Sequence, residues 1–440
     1  MHNQSSAFEH AVQHAHEDPL HAFISVVDPA TRQPEDSTGA LAGMPFAVKD
    51  NIDTVALPTS ANTPALVGST RDADHAVVAR LQEAGALLVG KTNLHELAFG
   101  ITTGAAAHPA TCNPFDATRS PGGSSGGSGA AVGSGIVPFA LATDTGGSVS
   151  IPAAWCGVYG YRPSIGRWPS DGRAAPLSKT RDAIGVIAES LELAHQVDQV
   201  VSEARPAATP PSTFRLGVPT ADSTYLDPLA DDVKERWDHT VKVLENTDTI
   251  ELVEVDTAQL HELDAACGIG IVLYETARDL SAYLQRLPVA VTFEQVMEQA
   301  AAQDVPGLLQ LAWEQRDQHD KYHQLLTIHQ QLRDAWDLLL TGHQLHGLLR
   351  PTTPISPTPI GDELTTTAFG QEVPTFGTVI RNTGPGSTAG QPAITIPVGI
   401  GTAKLPVGVT IDGGRNDDDV LFALAAELNH HIGVRSPLLD

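Results

Sequence analysis

The chain has 440 residues, of which 41% are hydrophobic and 18% charged, with 39 Gly and 31 Pro. This balance excludes disordered and fibrous proteins, because it supplies enough apolar surface for a large core. The net charge of -26 repels phosphate backbones and anionic lipid, so we expect neither a nucleic acid nor a membrane as partner.

The three cysteines, Cys112, Cys156 and Cys267, form no C-x-x-C pair. This spacing indicates a reducing compartment and predicts no structural metal site. The first 20 residues lack the basic segment and apolar core of a secretion signal. We therefore expect a cytoplasmic protein.

Helix and strand patterns alternate along much of the chain. Residues 74–85 predict a helix with Asp74 as its cap and Gly85 as its end, followed by a strand at 86–90. A second helix at 230–246 leads into a strand at 250–256. This alternation predicts a mixed α/β protein.

The remaining segments fit the same single domain. The Pro-rich stretch 204–213 is followed directly by a strand, so we interpret it as a surface connection rather than a domain boundary. Residues 261–349 carry an almost entirely helical pattern. We expect them to form a helical layer or lid, and the domain to span 1–440.

Residues 120–135, SPGGSSGGSGAAVGSG, are dominated by Gly and Ser. Such a composition suits a flexible linker, but the residues that follow are small and apolar, which indicates a packed environment. Neither a P-loop nor a dinucleotide-binding motif is present. The segment and its continuation supply hydroxyl groups instead, at Ser124, Ser125, Ser128, Thr145, Ser148 and Ser150.

A serine nucleophile needs a base, and no histidine lies between residues 120 and 150. Lys49 follows an apolar run in GMPFAVKDNID, which predicts that its side chain is buried. Burial favours the neutral amine, and a neutral lysine can accept a proton from serine. The alternative is a structural salt bridge from Lys49 to Asp50 or Asp53, and the residues alone leave both open.

Three motifs together resemble the amidase signature family, over about residues 20–435. They are GMPFAVKDNID, SPGGSSGGSGAAVGSG and TDTGGSVSIPAAWCGVYGYRPSIGR. Four further segments, 91–102, 166–190, 381–399 and 405–414, are similar to its indoleacetamide and mandelamide hydrolase branch. The resemblance implies one domain with a large mixed sheet covered by helices on both faces. The catalytic core would comprise about 20–200 and 350–435, with a more variable lid and substrate-pocket segment at about 261–349.

The resemblance also implies roles for individual residues. Ser148 matches the acylated nucleophile, Ser124 the bridging serine after a cis peptide bond, and Lys49 the base. Ser125 is similar to the position that hydrogen-bonds the lysine. The oxyanion hole would be formed by backbone N–H groups of Thr145, Gly146, Gly147 and Ser148, and the acyl pocket would lie beside Ala98, Phe99, Gly100 and Ile101. The mechanism needs no metal and no organic cofactor.

Two positions depart from the family pattern. Ser150 stands where the family usually has Arg, and Ile151 where some members that bind a substrate carboxylate have Arg. Without either cation, we expect neutral rather than anionic acyl groups. The expected activity is hydrolysis of small neutral carboxamides, aryl or arylalkyl primary amides above all, to acid and ammonia.

Alternative functions remain open at this stage. GMPFAVKDNID followed by LPTSANTPAL also resembles allophanate hydrolases, so allophanate, carbamate or ureido compounds are alternative substrates. Another alternative is the amidase-like subunit of a tRNA-dependent amidotransferase, although YRPSIG in place of the usual YKPTYG disfavours it. A third is a catalytically silent relative. A homodimer is also left open.

Overall fold

The computed structural model describes residues 2–28, 38–202 and 210–434. Most of the predicted surface connection at 204–213 therefore lies outside the described residues.

An 11-stranded mixed sheet organises the described chain. Its strands, in spatial order, are β1, β3, β2, β4, β6, β5, β12, β13, β9, β7 and β8, and β10 and β11 form a separate hairpin. In chain order the strands are β1 (Phe23–Val26), β2 (Pro45–Lys49), β3 (Leu87–Thr92), β4 (Phe139–Asp144), β5 (Tyr159–Arg162), β6 (Ala183–Ala188), β7 (Phe214–Pro219), β8 (Ile250–Val255), β9 (Gly347–Pro351), β10 (Thr365–Ala368), β11 (Gln371–Pro374), β12 (Ala393–Ile400) and β13 (Pro406–Gly413).

Helices cover both faces of this sheet. They are α1 (His2–His16), α2 (Ala76–Glu83), α3 (Gly126–Gly133), α4 (Ser150–Trp155), α5 (Leu191–Val201), α6 (Asp231–Leu244), α7 (Ala258–Leu284), α8 (Phe293–Gln299), α9 (Val305–Gln315), α10 (His319–Gly342), α11 (Thr375–Ile380), α12 (Gly384–Ala389) and α13 (Asp418–Ile432). Every residue of β2, β3 and β4 is buried, as expected for strands covered on both sides. The predicted fold class is confirmed.

The first predicted helix forms, but with a different cap. The helix α2 is followed by Gly85, whose φ of +92° is easily adopted by glycine. The cap is His75, whose ring accepts a hydrogen bond from the Val77 N–H at 3.1 Å. The Asp74 carboxylate instead accepts from the N–H of Val55. Asp74 is therefore engaged with a residue distant in the sequence, and His75 caps the helix in its place.

The predicted helical segment 261–349 contains α7 to α10 and then ends earlier than expected. Its last residues belong to β9, which lies between β13 and β7 in the sheet. In its second half, two separate helices form, because α9 ends at Gln315 and α10 begins at His319. Apolar side chains of α7 to α9 pack against Leu94, Leu97 and Phe99, so this layer also covers one side of the candidate site.

None of the helices in the three described ranges is both long and apolar enough to cross a lipid bilayer.

Candidate active site

Two parallel strands bring a lysine and a threonine to the same edge of the sheet. Lys49 is the last residue of β2, which pairs in parallel with β4 from Phe46 opposite Phe139. The carboxyl ends of parallel strands meet at one edge, where active sites of α/β proteins commonly lie. Lys49 is fully buried, and its Nζ lies 2.7 Å from Ser124 Oγ and 2.8 Å from Thr143 Oγ1.

The carboxylates beside Lys49 in the sequence have other partners. Asp50 pairs with the buried Lys91 at 3.2 Å, and Asp53 pairs with Arg71 at 2.8 Å. Lys49 itself forms no ion pair within the described residues. The structural salt-bridge alternative for Lys49 is therefore wrong.

Burial also sets the protonation of Lys49. Loss of hydration lowers its pKa to about 7, while the negative charges of Asp144 and Asp182 oppose this shift. With a pKa near 7, about half of the lysine is neutral at neutral pH. It can therefore accept a proton from the hydroxyl groups that it contacts.

The Gly-rich segment is part of the core and not a linker. The peptide bond between Gly123 and Ser124 is cis, and α3 begins two residues later with every residue buried. A Cβ atom on Gly127 would lie 2.5 Å from the backbone oxygens of Ala22 and Asn93. Glycine is needed here because two backbone segments approach it closely.

Ser125 differs from the expectation that its side chain bonds Lys49. Its hydroxyl donates to the backbone carbonyl of Thr143 at 3.2 Å. The second hydroxyl on Lys49 is instead that of Thr143, whose side chain also accepts from Asn51 Nδ2 at 3.1 Å. Ser125 therefore joins the start of α3 to the end of β4.

A buried carboxylate shapes the loop that carries Ser148. Asp144 ends β4 and accepts hydrogen bonds from the N–H groups of Gly147, at 2.9 Å, and Val149, at 2.7 Å. Arg162 donates to the same carboxylate from Nε at 3.1 Å, and both side chains are fully buried. A charged group needs such a partner in the interior. The turn around Ser148 is thus held by Asp144, which in turn is held by Arg162.

This arrangement changes the set of available N–H groups. We expected the Gly147 N–H to form part of the oxyanion hole. It donates to Asp144 instead, so it is not available to bind an oxyanion. The N–H groups of Thr145, Gly146 and Ser148 donate to no acceptor within the described chain. Three preorganised donors therefore remain beside the Ser148 hydroxyl.

Asp182, the residue before β6, supports the same loop. It accepts a hydrogen bond from the Thr145 hydroxyl at 2.6 Å and from the N–H groups of Leu177 and Ser178 at 2.9 and 3.0 Å. Burial raises the pKa of Asp182 to about 6. It is thus mainly ionised at neutral pH and acts electrostatically on Lys49.

A cavity of about 170 Å³ opens onto Ser148. Its walls include the loop residues Thr145 and Gly146 and all four residues that we expected beside the acyl pocket, Ala98, Phe99, Gly100 and Ile101. Much of the remaining lining is apolar and comes from distant segments, namely Leu177, Ala265, Ile269, Val272, Phe376 and Ile380.

The cavity also contains a cation that the motifs did not reveal. Ser150 and Ile151 begin α4 and supply no charge, but Arg181 lines the wall together with Asp264. The loop after Ser148 thus has no cation at these two positions, but the pocket has one from another segment. The position of Arg181 and Asp182 before a strand could have indicated their role. They directly precede β6, which runs antiparallel to β4 and therefore starts at the sheet edge where Lys49 lies. Asp264 lies within the long helix α7, where no motif singles it out.

Within the described ranges, no three His, Cys, Asp or Glu side chains are grouped so that they could hold a metal ion.

Comparisons with known proteins agree with this geometry. The amidase family model matches residues 27–422. An indoleacetamide hydrolase of Agrobacterium vitis is 36% identical over 400 residues, covering 90% of this chain and 85% of the relative. A mandelamide hydrolase of Pseudomonas putida is 35% identical over 442 residues, covering 94% and 85%.

The fold is similar to that of a solved amidase. The native peptide amidase of Stenotrophomonas maltophilia superposes with a TM-score of 0.82 and 25% sequence identity, over 99% of this chain and 95% of that one. The resemblance inferred from the three motifs is confirmed. The chain belongs to the amidase family.

Proposed function

We propose that the protein hydrolyses small neutral carboxamides, aryl or arylalkyl primary amides above all, to a carboxylic acid and ammonia. The observation that carries this proposal is the buried Lys49, whose amino group contacts the hydroxyl of Ser124 rather than a carboxylate. The relatives named for indoleacetamide and mandelamide support the same class, since both names denote primary amides of arylalkyl acids.

Acylation uses the hydroxyl relay. Neutral Lys49 accepts a proton from Ser124, which takes one from Ser148 as the Ser148 oxygen attacks the amide carbonyl. The N–H groups of Thr145, Gly146 and Ser148 stabilise the negative oxygen that develops, and one such donor is typically worth about 10²- to 10³-fold in rate. The proton then returns through the relay to the leaving nitrogen, which departs as ammonia.

Deacylation reverses these roles. A water molecule loses a proton to the relay and attacks the ester carbonyl, and the bond to Ser148 breaks as that oxygen is reprotonated. The acid product leaves, and Lys49 is neutral again. Neither step changes an oxidation state, so these residues and one water molecule are sufficient for both.

The lining of the acyl pocket supports the choice of substrate. Apolar side chains such as Phe99, Val272 and Phe376 surround the space beside Ser148. Burial of an aromatic ring among them is favourable by the hydrophobic effect. Arg181 and Asp264 carry opposite charges, so the pocket as a whole favours a neutral acyl group.

Ammonia release from indole-3-acetamide, phenylacetamide and benzamide tests the proposal, with allophanate and ethyl carbamate measured in parallel. We expect turnover of the carboxamides that Ser148→Ala abolishes, and a fluorophosphonate adduct on Ser148. Ser212→Ala, at an exposed serine in the loop before β7, is the matched control. Turnover confined to allophanate or carbamate would replace this proposal, and an adduct that persists in Ser148→Ala would move the nucleophile.

A further inference from the structure

The acyl pocket contains two charged side chains that do not pair directly with each other. Arg181 is only 4% exposed, and its Nη1 donates to the Gly268 carbonyl at 2.7 Å. Asp264 accepts at Oδ1 from the Thr388 hydroxyl at 2.5 Å. Both line the cavity that opens onto Ser148, and the ion pairs of the described chain do not include one between them.

Each of these groups keeps polar atoms without a partner. Arg181 Nε and Nη2 and Asp264 Oδ2 have no hydrogen-bond partner among the residues that the structure describes. Burial lowers the pKa of Arg181 and raises that of Asp264, because loss of hydration disfavours the charged form of each. A polar ligand atom between them would compensate for this loss of hydration.

Two glycines leave space for the Asp264 carboxylate. A Cβ atom on Gly268 would lie 2.7 Å from Asp264 Oδ1, and one on Gly384 would collide with Oδ2. The carboxylate therefore fills space that any larger residue would occupy. The hydrogen bond from Thr388 orients this carboxylate before a ligand binds, which lowers the entropic cost of recognition.

We propose that Arg181 and Asp264 form a subsite for a hydroxyl group on the carbon next to the scissile carbonyl. This inference rests on the proposed hydrolysis at Ser148. A hydroxyl accepts from the guanidinium and donates to the carboxylate at once. A carboxylate substituent would be repelled by Asp264, and an ammonium by Arg181.

The geometry indicates the position of the hydroxyl. Arg181 Nη2 lies 3.7 Å from the point that a Cβ atom on Gly146 would occupy, beside the loop with the free N–H groups. A carbonyl attacked by Ser148 would lie over that loop, and the acyl group would extend into the cavity that Arg181 and Asp264 line, which brings its α-carbon toward the subsite. Within the proposed class of carboxamides, the preferred substrates are therefore 2-hydroxy carboxamides.

Mandelamide and phenylacetamide differ only in the α-hydroxyl and provide the test. For the wild-type protein we expect kcat/KM for mandelamide to exceed that for phenylacetamide by about tenfold or more, the size expected for hydrogen bonds to charged groups. Arg181→Met should bring this ratio close to one, whatever the change in absolute rate. Arg181→Lys should retain part of it, and Arg316→Met, at an exposed arginine, should leave it unchanged.

A wild-type ratio near one, or a ratio that Arg181→Met does not alter, would overturn the subsite. Asp264→Asn should lower the ratio less than Arg181→Met, because an amide oxygen still accepts from the hydroxyl. This variant provides a second measurement if Arg181→Met does not fold.

Binding of both amides to Ser148→Ala, measured by calorimetry, separates this inference from the proposed function. If neither amide is turned over, the proposed function fails, yet tighter binding of mandelamide that Arg181→Met removes would still establish the subsite. Equal binding of the two would refute it.

Discussion

Replacement of Asp182 by Asn tests whether a lysine sets the pH dependence of hydrolysis. The Asp182 carboxylate is buried close to the site, and its charge raises the pKa of Lys49. Asn removes the charge, and its oxygen can still accept from the N–H groups of Leu177 and Ser178, while its NH2 group can donate to the Thr145 hydroxyl, which is the donor in the wild-type protein. The substitution should therefore lower the pKa of Lys49 further.

The expected size follows from the wild-type pKa of about 7 for Lys49. Only the neutral amine acts as the base, so activity is lost as the pH falls through this value. About 10% of the lysine is neutral at pH 6 and about 90% at pH 8, which gives a roughly tenfold rise in rate between them. In Asp182→Asn the neutral fraction at pH 6 is larger, so the rise between pH 6 and pH 8 should become smaller.

The assay is kcat/KM for one primary amide across pH 5.5 to 9 at constant ionic strength. A second cavity, of about 730 Å³, adjoins the acyl pocket at Ala98, Thr145 and Leu177 and is called the neighbouring cavity here. Asp279→Asn is the matched control, because Asp279 lines this cavity together with Asp182 but pairs with Arg278. Its pH profile should match that of the wild-type protein. The readout is the position of the acid limb, which a change in loop structure alone would not shift toward lower pH.

A histidine base would give a different set of results. His75 lines the same neighbouring cavity as Asn51 and Thr143 and is the histidine to test. If Asp182→Asn leaves the acid limb in place and His75→Asn removes it, the assignment of Lys49 as the base is refuted.

Three further predictions concern the relay and the core. Lys49→Ala should reduce hydrolysis of an amide more than hydrolysis of an ester of the same acid, since the amine must be protonated as it leaves; equal losses would assign Lys49 a structural role. Arg162→Met should lower the free energy of unfolding by about 3–5 kcal/mol in urea titrations, because it leaves Asp144 buried without its cation; a loss under about 1 kcal/mol would contradict this pairing. Gly127→Ala should lower that free energy by about 1–3 kcal/mol, whereas Gly307→Ala, with nothing within 4 Å, should raise it by about 0.5–1 kcal/mol; similar changes in both would disprove the close approach at Gly127.

Much of the fold could be predicted because its signals are local. The helix before Gly85 and the strand after it depend on apolar spacing within a few residues. The strand at Gly347–Pro351 was missed because a short apolar run directly after a helix does not distinguish the two structures. Its conformation is decided by pairing with β13, more than 50 residues later.

The family, the serine hydroxyls and the burial of Lys49 can be inferred from the sequence, since each depends on a contiguous motif or an apolar run. Which charged side chains meet depends on how the whole chain folds. Lys91 and Arg71 take the carboxylates beside Lys49, and Arg181 reaches the acyl pocket opposite Asp264. These contacts join residues far apart in the chain and result from competition among many possible partners, so no local pattern could select them.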